Sequence, residues 1–179
     1  AVGAFTNLSQ DHLDFHPDMA DYFATKARLF EMAERAVICI DDGWGRRLAA
    51  RVAGAVTVGE AGDWSATGTR TAADGSQSFT AVGPDGPLPV RLRLPGAYNV
   101  TNALVALACL DLVGVAPSAA AAGFAAALVP GRMQRVDAGQ PYLAVVDYAH
   151  KPAAVAALLD ALRAQVPGRL LVVLGCGGD

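Results

Sequence analysis

The chain has 179 residues, 53% of them hydrophobic and 17% charged, with a mean hydropathy of +0.33 and a formal net charge of −3. That composition can bury a core, which excludes a disordered chain, and the slight acidity argues against a broad basic surface for nucleic acid or anionic membrane. No apolar run reaches the roughly 18 residues of a membrane span, and the opening AVGAFTNLSQ lacks the basic flank and cleavage site of a signal peptide.

In chain order, residues 1–6 read as the second half of an apolar strand, followed by a polar loop over 7–17. Asp18, just after Pro17, is a plausible N-cap for a helix to about Arg35. A short strand over 36–40, a helix over 42–53 and a strand over 55–58 come next. Residues 61–87 are rich in Gly, Thr, Ser and Asp and read as loops and antiparallel strands. Leu88 to Leu94 alternates apolar and polar residues, as a half-buried strand does. After the Pro95-Gly96 turn come an apolar helix over 99–113, with Asn99 as candidate N-cap, and an Ala-rich helix over 117–128. Pro130-Gly131 breaks the pattern. A buried strand over 142–146, a helix over 152–165 and a buried strand over 169–174 then form a βαβ unit, which implies a parallel sheet. The restart of β-α alternation puts a domain boundary near 136–141. The chain opens within a strand and stops inside the glycine-rich turn 175–179, so a fragment of a longer protein is expected.

Cys39, Cys109 and Cys176 are odd in number, far apart and in apolar surroundings, which suits reduced core thiols and a cytoplasmic protein. There are 37 alanines, and 12 arginines against two lysines, so each lysine stands out.

Asp11 to Asp18 packs three carboxylates and two imidazoles, His12 and His16, into eight positions. These are ligand types for Mg2+, Mn2+ or Zn2+, or simply a polar loop whose aspartates cap turns. Lys26 falls on the apolar stripe of its helix with Met19, Phe23 and Phe30. Either its stem packs while the ammonium reaches water, or the amine is desolvated. A neutral lysine amine adds CO2 to become a carbamate, an oxygen donor for Mg2+, and His12 on the adjacent element could share that metal. Asn102, in a first helical turn, could read an adenine or bond backbone. Arg132, after a tight turn, is a solvated charge or a phosphate clamp. Asp147, Tyr148 and His150 follow a strand, at the end where α/β proteins bind ligands, or they cap the next helix. No G-x-x-x-x-G-K-S/T phosphate cradle occurs.

Five spaced motifs resemble the Mur ligase family, of the MurE (UDP-N-acetylmuramoyl-tripeptide synthetase) type: FTNLSQDHLDFH over 5–16, YFATKARLF over 22–30, PGAYNVTNAL over 95–104, PGRMQ over 130–134 and VDYAHKP over 146–152. Lys151 departs from the Thr more usual there. Gly175 to Asp179 resembles the start of a glycine loop. The resemblance spans nearly the whole chain, in order.

It implies an α/β fragment. Residues 1–137 would be the later part of a central ATP-binding domain with a mixed sheet, and 138–179 the first βαβ of a Rossmann-like C-terminal domain. His12 would ligate Mg2+, with Lys26 the carbamylated lysine supporting the metal. Asn102 would contact the adenine, Arg132 the phosphates, and Asp147 and His150 the nucleotide across the domain junction, with Tyr148 near the base. The implied reaction uses ATP and Mg2+ to add a diamino acid to UDP-MurNAc-L-Ala-D-Glu through an acyl phosphate. The alanine-rich, arginine-over-lysine composition, as GC-rich codon usage gives, favours meso-diaminopimelate over L-lysine as the added residue. The expected parent is a cytoplasmic monomer, and this portion alone, without a phosphate cradle, is expected to be inactive. The competing readings are another ligase of the superfamily (another Mur ligase, a folylpolyglutamate or a cyanophycin synthetase), a non-catalytic binding module, and a metal hydrolase built on His12 and His16.

Overall fold

The computed structural model describes residues 1–10 and 13–175. Three short strands open the architecture: β1 (Val2–Phe5), β2 (Arg35–Cys39) and β3 (Val56–Val58) pair in parallel, in that order. The connections carry α1 (Met19–Ala27), α2 (Leu29–Met32) and α3 (Gly43–Ala49). Next comes an antiparallel sheet of β4 (Ser65–Thr71), β5 (Gln77–Gly83) and β6 (Gly86–Leu92). The helices α4 (Ala97–Leu112) and α5 (Pro117–Phe124) lead to a two-stranded antiparallel ribbon of β7 (Gln134–Val136) and β8 (Ala144–Val146), followed by α6 (Pro152–Arg163). Among the described residues no helix is long and apolar enough to cross a membrane.

The period of two along β2 divides the molecule into two cores. Val37 and Cys39 join Val58, Trp64, Phe79, Val90, Leu104 and Leu107 in a cluster between the parallel sheet, the antiparallel sheet and α4. Ala36 and Ile38 point the other way, onto Phe5, Phe23 and Leu48. The helices α1 and α4 therefore lie on opposite faces of the parallel sheet. Each fully buried large side chain contributes about 1.5–3 kcal/mol, and Phe23, Ile38, Leu48 and Leu107 are of that kind.

Two glycines set the closeness of the first layer. A Cβ at Gly3 would stand 2.9 Å from the Cβ of Ala33, so only a bare backbone lets the end of α2 close on β1. A Cβ at Gly45 would overlap the carbonyl oxygen of Cys39, so α3 rests directly on the β2 backbone.

The α/β class and most elements agree with the sequence reading, and three elements differ. The single helix expected to Arg35 is split at Arg28, where hydrogen bonds tighten (Arg28 N–H to Thr25 C=O at 3.3 Å), because the chain must turn back to pair Arg35 with Val2. The strand expected over 169–174 is unpaired, with Val173 fully exposed and Leu171 85% exposed. A strand exists only where a neighbour takes its N–H and C=O groups, and no described segment does so here. The parallel pairing expected of the βαβ unit is therefore not formed among the described residues. The strand expected to be buried over 142–146 is the shorter, partly exposed β8, with Val146 51% exposed, paired antiparallel to β7, a strand the Gly/Pro-rich turn before it concealed.

Candidate functional site

Two groups of side chains correspond to the sequence candidates. The first is built on α1. The Asp18 carboxylate caps the helix, accepting the N–H groups of Ala20 and Asp21, both at 2.8 Å. His16 Nδ1 lies 2.7 Å from Asp21 Oδ2, and its ring stacks on Tyr22 with centroids 5.0 Å apart. Lys26, one turn beyond Tyr22, is half-buried. Its Nζ lies 5.5 Å from the centroid of Tyr22 and 6.0 Å from that of Phe5, the last residue of β1. A helical side chain leans toward the amino end of its helix. That lean carries Nζ back over Tyr22 and toward Phe5 at the end of β1.

His12 lies outside the described residues. Among the described residues no group of three or more His, Cys, Asp and Glu could hold a metal ion. An ammonium over two ring faces repels a dication. Lys26 fits a metal-holding role only as its carbamate, whose oxygens are anionic.

The second group is assembled around the start of α4. Gln77 is the buried polar residue of the described core, 4% exposed. Its Nε2 donates to the carbonyls of Leu94 at 2.8 Å and Gly96 at 3.0 Å. That bond pair fixes the turn into α4, where Gly96 takes φ 99°. Gly96, not the expected Asn99, is the N-cap. Asn99 sits inside the first turn and donates from Nδ2 to Pro95 C=O at 2.7 Å, while Asn102 donates to Asn99 Oδ1 at 3.3 Å. Asn102 is exposed, and Tyr98, four residues earlier, shares its helix face.

Against this face stands the turn 130–133. Met133 is buried and holds φ 46°, a left-handed conformation costly for a residue with a side chain. Its N–H donates to Asp147 Oδ2 at 2.7 Å, and Ala149 N–H donates to Asp147 Oδ1 at 2.8 Å. Both carboxylate oxygens of Asp147 are thus engaged by backbone. The guanidinium of Arg132 lies over the Tyr148 ring, 4.6 Å from its centroid. The His150 ring stands at 76° to that ring with centroids 5.2 Å apart, and its Nδ1 lies 3.0 Å from Tyr148 C=O. Burial raises the Tyr98 hydroxyl pKa; the Asp147 charge raises it further and Arg132 lowers it, so all three groups share one neighbourhood. Arg132 also lines a cleft of about 380 Å3 with Asp74, Arg93, Pro95 and Arg135.

The structure therefore brings Arg132, Asp147, Tyr148 and His150 together next to the α4 face bearing Asn102, while Lys26 lies across the parallel sheet from α4. Sequence reading missed three contributors. Gln77 shares the buried parity of Phe79 and Ala81, a signal that could have exposed it. Tyr98 is one turn before Asn102, another usable signal. Nothing in the sequence marks Met133 as left-handed.

Comparison with known proteins agrees with these motifs. The Mur ligase middle domain matches residues 1–110, and the Mur ligase glutamate ligase domain matches residues 131–179. The UDP-N-acetylmuramoyl-L-alanyl-D-glutamate--2,6-diaminopimelate ligase of Corynebacterium efficiens is 55% identical over 187 residues, and that of Corynebacterium glutamicum 54%. Each match covers 99% of this chain and 36% of the relative, so the chain spans about a third of those proteins. A solved structure of a ligase of the same name is 31% identical, with a TM-score of 0.76 over 99% of this chain and 38% of that one. MurF from Acinetobacter baumannii, 24% identical, shares the fold with a TM-score of 0.82 over 93% of this chain and 38% of its own. The chain belongs to the Mur ligase family, carrying middle-domain sequence followed by glutamate ligase domain sequence.

Proposed function

We propose that this chain works within an ATP-dependent amide ligase of peptidoglycan precursor synthesis, one that joins meso-diaminopimelate to UDP-MurNAc-L-Ala-D-Glu. The activity belongs to the whole ligase, acting in the cytoplasm as a monomer. Residues 1–137 supply the later part of its central ATP-binding domain, and residues 138–179 open its C-terminal domain. The observation that carries this reading is the meeting of Arg132, Asp147, Tyr148 and His150 beside the α4 face of Tyr98 and Asn102. Those are adenine-reading and phosphate-holding residue types in one neighbourhood, with Arg132 on the wall of the adjoining cleft. The relatives' name supplies the substrate pair.

In the reaction, a D-Glu carboxylate oxygen bonds to the γ-phosphorus of ATP as the bond from that phosphorus to the β-bridging oxygen breaks. The diamino acid's amine then attacks the acyl carbon and loses a proton, and phosphate leaves with the C–O electron pair. Both steps bring negative groups together, so neutralisation and positioning supply most of the rate. Arg132 offers a planar fork of donors to the phosphates. Asn102 offers an amide to the adenine edge. Asp147, although bonded to two backbone N–H groups, retains lone pairs for a ribose hydroxyl. His150 closes the nucleotide side from the second domain. His12 and a carbamate on Lys26 would hold Mg2+, which would supply neutralisation of phosphate charge.

The test is made on the complete ligase. Arg132→Ala and Asn102→Ala are expected to abolish or severely reduce ATP-dependent ligation of diaminopimelate. Full activity in both would sink the assignment. For Lys26, intact mass in bicarbonate should show the added mass of one CO2, and Lys26→Ala should lose activity that short carboxylic acids partly restore. Unchanged activity would leave Lys26 a packing residue.

A further inference from the structure

We propose that Tyr148 is a positioning residue for Arg132: its ring is the platform that holds the guanidinium with its donor edge turned out for an anionic phosphate. The inference rests on the phosphate role of Arg132 given above, and goes beyond it by assigning the tyrosine to the arginine and not to a base.

The geometry points this way in three respects. First, the guanidinium carbon lies 4.6 Å from the Tyr148 ring centroid, and the His150 ring stands at 76° to that ring with centroids 5.2 Å apart, so Tyr148 is in contact with both. Second, Asp147, which shares its neighbourhood, does not pair with the arginine. Asp147 sends its two oxygens to the N–H groups of Met133 and Ala149, and no ion pair among the described residues includes Arg132. An arginine held by a carboxylate would have its fork occupied; one held by a ring face keeps all its N–H donors in the plane, pointing outward. Stacking and phosphate binding thus use different parts of one group and do not compete. Third, Arg132 is attached immediately before Met133, whose left-handed backbone is locked by the Asp147 bond. The turn sets where the side chain leaves the backbone, and the ring sets where it ends.

Tyr148 is 65% exposed, so replacing it removes little core. The experiment is equilibrium binding of ADP and of adenosine to the complete ligase, for the parent and for Tyr148→Phe, Tyr148→Leu, Arg132→Ala and the Tyr148→Leu/Arg132→Ala double variant. Loss of the cation–π platform is expected to weaken ADP binding by about fivefold in Tyr148→Leu. Adenosine binding should be unchanged, and Tyr148→Phe, which keeps the π face, should bind ADP as the parent does. In the Arg132→Ala background the leucine should add nothing. Equal weakening of ADP and adenosine would make Tyr148 a base-stacking residue and overturn the proposal. So would an ADP loss that persists without Arg132, or no ADP loss at all. If Arg132→Ala leaves ADP binding intact, the phosphate role itself fails; if that variant weakens ADP and Tyr148→Leu does not, only the platform fails.

Discussion

The carboxylate of Asp147 holds the backbone N–H of Met133 at 2.7 Å, fourteen residues back along the chain, across the open end of the β7–β8 ribbon where Gln134 pairs with Val146. The bond keeps Met133 at φ 46°, a conformation that costs of the order of 1 kcal/mol for a residue with a Cβ. Asp147 is therefore a brace for the turn that carries Arg132, besides any contact with nucleotide. Asp147→Ala should lose about 1–3 kcal/mol of local stability, because two backbone donors lose a charged acceptor. Amide hydrogen exchange at Met133 and Ala149 reads this directly. Protection should collapse in Asp147→Ala and be partly kept in Asp147→Asn, which retains one acceptor oxygen. Unaltered protection in the alanine variant would show that the turn holds itself.

Gln77 makes a second brace, from the antiparallel sheet to the start of α4. Gln77→Leu keeps the volume and removes both donors, leaving the Leu94 and Gly96 carbonyls without them; each such loss costs about 1–3 kcal/mol when buried. Gln77→Glu should be worse, since it buries a carboxylate against two carbonyl oxygens. Because that turn sets where Tyr98 and Asn102 stand, the KM for ATP should rise in Gln77→Leu more than kcat falls. A lower melting temperature with an unchanged KM would restrict Gln77 to packing.

What could be read from the sequence follows from the range of the forces involved. The Asp18 cap, the buried face of α1 and the alternation in β6 are local, and all three are present. Lys26 stood on the apolar stripe by period alone, and it does lie among Phe5 and Tyr22. The failures were non-local. The β7–β8 ribbon is sealed by the Met133–Asp147 bond between distant residues, and the break at Arg28 comes from β1–β2 pairing. Leu170 to Leu174 has the composition of a buried strand, yet pairing and not composition makes a strand. Within the site, Arg132, Asp147, Tyr148 and His150 were readable as residue types near turns and strand ends; which atom binds which was not, because that depends on backbone strain at Met133.

Gly45 gives a steric prediction. Its missing Cβ lets α3 sit on the Cys39 carbonyl, and the obstruction is backbone, which cannot swing aside. Gly45→Ala should force α3 away from β2, opening the core around Leu48 and Phe23. A loss of about 3–5 kcal/mol, the scale of a major core defect, should appear as poor soluble yield or a sharply lower melting temperature. A parent-like melt would mean that α3 shifts freely. Gly54, with φ 72° and open space around its Cβ position, is the control, where alanine meets only backbone strain.

Asp63 gives a pH dependence with a defined sign. Its Oδ2 accepts the Thr57 N–H at 2.8 Å and the Thr57 hydroxyl at 2.7 Å, and these bonds hold its carboxyl below the ordinary aspartate range, with the backbone bond the larger cause. They tie the loop after β3 to that strand and seat Trp64 against Gly83. A carboxyl with a lowered folded-state pKa adds stability at pH above the unfolded aspartate value, about 3.9, and that stability is lost as pH falls through the depressed value. The parent should therefore be more stable than Asp63→Asn at neutral pH, and the two melting curves should converge in acid. The side chain is mostly exposed, so the difference should also shrink as salt is added. A gap that stays constant from neutral pH down into acid would show that the asparagine disturbs packing, and that the Asp63–Thr57 bonds carry no charge-dependent stability.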